Sequence, residues 1–167
     1  MADSLEAIPD GSDLLIDTNV FIYGLTAKSS ECKALLERCS REEITGITLF
    51  EVIHEATHRF MAGEAKQKRL CERQPARYLS EHPEQVKRLT DYWLNTRRLL
   101  DLNLLILPME EDIVTTAQTE RMNVGLLTTD SIIVAAMREY GIFRIATNDR
   151  QFDSVSGITV FSPTDIQ

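Results

Sequence analysis

A parallel β-sheet with helices on both faces is the fold class that this 167-residue chain predicts, and three observations predict it. Short apolar runs suited to buried strands, at 14–16, 44–47, 104–107, 143–146 and 158–161, alternate with stretches of helical periodicity. The first run stops abruptly at a carboxylate, Asp17, so that Asp17 sits at the carboxyl end of a strand, the edge at which open α/β sheets bind ligands. With 43% hydrophobic residues and a mass of 19.0 kDa, the chain can bury one sizeable core and is short for two ordinary domains. A single domain spanning 1–167 is expected.

Residues 1–12 are acidic and small, and are expected to fray before the strand that begins at Asp13. Thr18 and Asn19 open a helix that runs through Leu25, with Asn19 available to cap exposed amides. Ser29 or Ser30 caps a second helix through Cys39, in which Cys32, Leu35, Leu36 and Cys39 recur at helical spacing. After the strand at 44–47, Thr48 starts a helix whose buried face is Leu49, Val52, Ile53, Ala56 and Phe60, with Gly63 as its stop. Residues 62–101 form a charged helical segment of two or three helices, interrupted by Pro75 and Pro83, and Tyr92, Trp93, Leu99 and Leu100 give the last helix an apolar face. The run at 104–107 is read as a third buried strand, and Glu110, Glu111 and Asp112 suit a helix N-terminus. Thr129 caps the next helix, which ends at Gly141 and leads to the strands at 143–146 and 158–161.

The N-terminus lacks the basic and apolar regions of a secretion signal, and no stretch approaches a membrane span, so no membrane association and a cytoplasmic location are expected. Three cysteines without a C-x-x-C pair argue against a disulfide framework and a zinc knuckle. The net charge of −8 would ordinarily oppose a nucleic-acid partner. Charge is segregated, however: ten of the eighteen basic residues lie between Arg59 and Arg98, giving that segment +5 and the remainder −13. Lys66, Lys68, Arg69, Arg73 and Arg77 are its densest group, and at helical spacing Lys66, Arg69, Arg73 and Arg77 would share one face able to follow an RNA backbone. A solvated helix face is the alternative.

Two signals compete on the helix after the second strand. Glu51 stands three residues after Thr48, the spacing of a capping box, yet in the first helical turn it also aims at the crevice of Asp17. His54-Glu55-Ala56-Thr57-His58 matches H-E-x-x-H, which on a helix presents two imidazoles to zinc with Glu55 as the general base of a metalloprotease. Against that reading, His82 is the only other histidine, and Met61 and Glu64 occupy the positions where an extended motif needs Gly and His.

Asp17 and Asp149 follow strands, while Glu51 and Asp130 open helices, so one crevice can hold all four. Two carboxylates about 5 Å apart repel by roughly 3 kcal/mol at an effective dielectric near 20, and gathering four calls for a cation. An all-oxygen set selects Mg²⁺ or Mn²⁺ over zinc, and such an ion suits phosphodiester hydrolysis. Other phosphate chemistries fit less well. No Lys follows Lys87, as a phosphoaspartate enzyme or receiver domain requires, and neither G-x-x-x-x-G-K nor G-x-G-x-x-G occurs.

Ile16-Asp17-Thr18-Asn19, Thr48-Leu49-Phe50-Glu51, Asp130 with Ile132-Ile133-Val134-Ala135-Ala136, and Gly141 through Ala146-Thr147-Asn148-Asp149 to Phe152-Asp153 together resemble the PIN domain, the ribonuclease fold of VapC-type toxins. The resemblance implies a three-layer α/β/α fold, a sheet of about five strands in the order 3-2-1-4-5, and Mg²⁺- or Mn²⁺-dependent RNA endonuclease activity. It also implies metal ligation by Asp17, Glu51, Asp130 and Asp149, with Asp153 as a fifth acid and Asn19 and Thr147 supporting the ligands. An RNA substrate, an antitoxin protein and a homodimer are the partners expected on this basis. A PIN-like module that binds RNA or protein without catalysis is the alternative. The basic helical segment before Asp130 is longer than in compact toxins.

Overall fold

The computed structural model describes residues 2–166. Its strands are β1 (Asp3–Ser4), β2 (Asp13–Ile16), β3 (Thr45–Leu49), β4 (Leu105–Leu107), β5 (Arg144–Ala146) and β6 (Thr159–Ser162). The helices are α1 (Thr18–Leu25), α2 (Ser30–Ser40), α3 (Phe50–Gln67), α4 (Pro75–Glu81), α5 (Pro83–Val86), α6 (Asp91–Leu100), α7 (Glu111–Val124) and α8 (Thr128–Glu139). All strand pairs are parallel and form one sheet in the order β1-β6-β5-β2-β3-β4. The five expected strands therefore stand in the expected order, and β1 adds a sixth at the edge.

The chain moves outward from β2 to β3 and β4, then returns to place β5 and β6 on the other side of β2. This reversal makes the carboxyl ends of β2 and β5 a topological switch point, where the connecting segments diverge and leave a crevice. Right-handed crossovers send the helices before and after β4 to opposite faces. Consistent with that, α1, α2, α3 and α6 pack among themselves and α7 packs on α8. The central strands are apolar on both faces because both are covered: Leu14, Leu15, Ile16, Ile145 and Ala146 are fully buried. Gly24 permits the close approach of α1 and α2, since a Cβ there would lie 3.1 Å from the Cys32 backbone carbon.

Several local expectations are corrected. Residues 2–12 are anchored, because Leu5 and Ile8 enter the core, β1 pairs with β6, and Arg38 donates to the Ile8 carbonyl at 2.7 Å. Thr48 belongs to β3 and donates its hydroxyl to the Ile16 carbonyl at 3.3 Å, so no capping box forms and α3 begins at Phe50 without a side-chain cap. Gly63 does not stop α3, which continues to Gln67. β4 is an edge strand with Leu105 and Ile106 exposed, where a buried strand was expected. On α6, Trp93 and Leu100 face solvent while Thr96 and Leu99 are buried. Leu127 occupies the N-cap of α8 in place of Thr129. No helix among the described residues is long and apolar enough to cross a membrane.

Candidate active site

Asp17 ends β2 and caps α1. Its backbone amide continues the sheet ladder to the Ala146 carbonyl at 3.0 Å, while its Oδ1 accepts from the Thr18 amide at 2.6 Å, so strand and helix fix the carboxylate from both sides. Oδ2 accepts from the Thr147 hydroxyl at 2.7 Å and from the Asn19 side-chain amide. Thr147, fully buried just after β5, also accepts from the Asp149 amide at 3.0 Å and from Asn19 at 3.1 Å. Asn19 Oδ1 accepts from the Asn148 amide at 2.8 Å. Asn19 was expected to cap α1; it instead ties α1 to the loop that carries Asp149. Asn19 and Thr147 thus hold the two strand-end acids in register with each other.

No cation is among the hydrogen-bond partners of Asp17. Burial raises its pKa, the hydrogen bonds from Thr147 and Thr18 oppose the rise, and the charges of Glu55 and Asp149 add to it. Asp130, in the first turn of α8, is pushed up to about 6 by burial and then by Asp17, Asp149 and Glu55. Asp149 and Glu55 thus act as like charges on both Asp17 and Asp130, which gathers the four at one edge.

Glu55 is the member that sequence reasoning missed. It lies one helical turn after Glu51 and accepts from the Thr18 hydroxyl at 3.2 Å beside Asp17. The available signal was its i,i+4 spacing from Glu51, which the H-E-x-x-H match masked by giving Glu55 another role. Glu51 is half-buried, and its Oε2 is fully buried without a hydrogen-bond partner. Such an orphaned carboxylate oxygen is costly unless a cation or proton meets it. The α3 carboxylate whose charge acts on both Asp17 and Asp130 is nevertheless Glu55.

Asp153 is exposed on the 3₁₀ turn Arg150–Ser154 and lines a separate recess with Asn148 and Arg150, so it is not brought into the cluster. His54 and His58 face solvent on α3. His82 is engaged elsewhere, stacked on Tyr78 with Nδ1 2.8 Å from the Tyr78 carbonyl. Among the described residues no third His, Cys, Asp or Glu joins His54 and His58 in a group that could hold zinc. The basic face over Lys66, Arg69, Arg73 and Arg77 does not exist as one helix, because α3 ends at Gln67 and left-handed backbone at Arg69 and Gln74 separates it from α4. Within that group Lys68 pairs with Glu64 at 2.6 Å and Arg77 with Glu81 at 3.0 Å.

The PIN-domain family model matches residues 14–158. The chain belongs to the PIN-domain family. Solved structures share this PIN fold at low sequence identity. A toxin–antitoxin complex from Klebsiella pneumoniae aligns at 19% identity and a TM-score of 0.57, covering 87% of this chain and 95% of its own. VapC20 of Mycobacterium tuberculosis, described as a sarcin-ricin loop cleaving toxin, aligns at 12% and 0.57, with coverages of 86% and 95%. The DNA-bound VapBC of Salmonella typhimurium aligns at 15% and 0.56, with coverages of 90% and 98%. No match is found among curated proteins.

The donor set of this PIN domain fits a hard divalent cation. It is all carboxylate, it carries one buried oxygen with no partner, and like charges add to the raised pKa of Asp17 and Asp130. Among the described residues no three acidic, histidine or cysteine side chains form a closed ligand cage.

Proposed function

We propose that this PIN domain is an Mg²⁺- or Mn²⁺-dependent endoribonuclease that hydrolyses phosphodiester bonds of single-stranded or structured RNA, and that it is the toxin of a toxin–antitoxin pair. The observation that carries the reading is a cluster of acids at the sheet's switch point in which, among the described residues, no protein cation pairs with Asp17, Asp130 or Asp149 and only Glu55 has one, Arg59 at 3.7 Å. Asp17, Asp130 and Asp149 would hold the ion, together with Glu51 and Glu55 of α3. When bound, the ion supplies an activated water and offsets the charge that builds on the phosphate. Thr147 and Asn19 orient Asp17 so that a substrate meets a carboxylate already in place, which removes an ordering cost from the reaction. Thr18 holds Glu55 at the same edge. An antitoxin partner is supported by neighbours described as toxin–antitoxin complexes.

Cleavage of labelled single-stranded RNA in Mn²⁺ tests the proposal. Asp17→Asn, Glu51→Gln and Asp130→Asn should each retain the fold by circular dichroism. Loss of a supporting group around a metal typically costs about 10–100-fold, so loss of Asp17 or Asp130 should cost more than about 100-fold. Variants that cut at the wild-type rate, or wild-type cutting that survives EDTA, would refute it.

A further inference from the structure

The side of α3 that carries the acids changes character along its length. Glu51, Glu55, Arg59, Gly63 and Lys66 recur at intervals of four, four, four and three residues, which places them in one stripe along the helix. Its N-terminal end is acidic and lies at the sheet edge; its C-terminal end is basic. The stripe borders a groove of about 430 Å³ between α1, α3 and α6, lined by Thr26, Lys28, Arg59, Gly63, Lys66 and Asn95. Arg59, which lines the groove, reaches back to Glu55 of the acid cluster at 3.7 Å. Among the described residues Lys28 and Lys66 form no ion pair within 4.0 Å.

Gly63 supplies an independent observation. Glycine inside a helix is destabilising by roughly 0.5–1 kcal/mol relative to alanine and is commonly found where a backbone or ligand must come close. Here a Cβ would meet nothing within 4 Å, so packing within this chain does not call for the glycine, and its open side faces the groove.

We infer that the groove between α1 and α3 is the path of the RNA backbone into the acid cluster, with Lys28, Arg59 and Lys66 neutralising phosphates and Gly63 leaving room for the strand. This rests on the nuclease reading above and names where its substrate lies. By the 1.5 Å rise per residue, Glu55 and Lys66 are about 16 Å apart along α3, a span that covers several nucleotides of a single strand. The placement also answers the charge problem of a −8 chain, because the phosphates meet cations before they meet the carboxylates.

The test is anisotropy of a fluorescein-labelled oligouridylate, titrated over a range of salt in EDTA, which withholds the metal and so stops cleavage. Each phosphate contact on a single strand contributes about 0.7 to the slope of log affinity against log salt, so Lys28→Ala/Lys66→Ala should flatten the slope by about 1.4. The double variant Arg69→Ala/Arg73→Ala removes equal charge outside the groove and should leave the slope unchanged. Gly63→Leu should block binding while the protein stays folded. Equal slopes for wild type and Lys28→Ala/Lys66→Ala, or unimpaired binding by Gly63→Leu, would overturn the path; the nuclease reading would then still stand if the acid variants lose cleavage. A wild-type protein that neither binds the oligonucleotide nor cuts RNA would overturn both.

Discussion

Two buried carboxylates in this molecule have opposite surroundings. Glu64, 3% exposed in α3, accepts from Lys68 Nζ at 2.6 Å, from the Thr90 amide at 2.8 Å and from the Tyr92 amide at 2.9 Å. Burial raises its pKa, but those hydrogen bonds outweigh it and the net shift is downward. Asp17, 6% exposed at the end of β2, is equally well supplied with hydrogen bonds, yet it faces Glu55 and Asp149 instead of a lysine, and its net shift is upward. At Asp17 the cost of burial outweighs the hydrogen bonds and the like charges of Glu55 and Asp149 add to it, whereas at Glu64 the hydrogen bonds, the first of them from a lysine, outweigh burial. Glu64 is complete within the chain and fastens the start of α6 to α3. Asp17 is held rigidly in a site that lacks its counter-charge, which is the signature of a place for a ligand.

That contrast can be broken from the Glu64 side. Glu64→Ala leaves the Thr90 and Tyr92 amides without their acceptor and Lys68 without its partner, and should destabilise the fold by about 2–4 kcal/mol. Urea denaturation measures this, and the change in melting temperature on adding Mn²⁺ should match wild type.

A smaller effect concerns pH. The carboxyl of Asp130 stands at about 6 in the fold against an ordinary 3.8, so the folded state holds its proton more tightly than the unfolded chain. The contribution of Asp130 to the stability of the metal-free protein should therefore be greatest below about pH 4, fall as pH rises through 6, and level off above. Asp130→Asn removes this fall, because its side chain no longer ionises. Melting temperatures in EDTA from pH 4 to 8 would show a slope in wild type and a flatter line in the variant. Parallel curves would mean that burial and the neighbouring acids do not raise the Asp130 carboxyl.

The least effect is expected at His54 and His58, which face solvent. Replacing either with alanine should leave RNA cleavage within about tenfold, a barrier change near 1.4 kcal/mol. Stoichiometric zinc in the purified protein, lost in both variants, would contradict the metal assignment.

Much of this arrangement was legible in the residue pattern, because strand ends in a buried sheet are sharp: an apolar run halts at Asp17, and Ala146 gives way to Thr147 and Asp149. The order of the five expected strands came from the family resemblance. What misled was local chemistry that tertiary structure overrode. Thr48 and Glu51 have capping-box spacing, but pairing of β3 with β2 and β4 extends the strand through Leu49 and draws the Thr48 hydroxyl to the Ile16 carbonyl. Glu55 was hidden by a short motif whose histidines are exposed on α3. The break between α3 and α4 depends on positive φ at Arg69 and Gln74, residue types that do not advertise it. The acidic N-terminal segment looked unanchored because Leu5 and Ile8 are isolated apolar residues with no periodicity to announce their burial.

On the proposed function, a divalent ion supplies the counter-charge that Asp17, Asp130 and Asp149 lack. Melting temperature against Mn²⁺ concentration at pH 7, for wild type and Asp17→Asn, tests it most directly. Binding to the folded state alone stabilises by about 2.7 kcal/mol at a hundred times the dissociation constant, so wild type should show a saturable rise of several degrees. In Asp17→Asn that rise should be lost or shifted to much higher Mn²⁺. No rise in wild type, or the same rise at the same concentrations in the variant, would contradict the account.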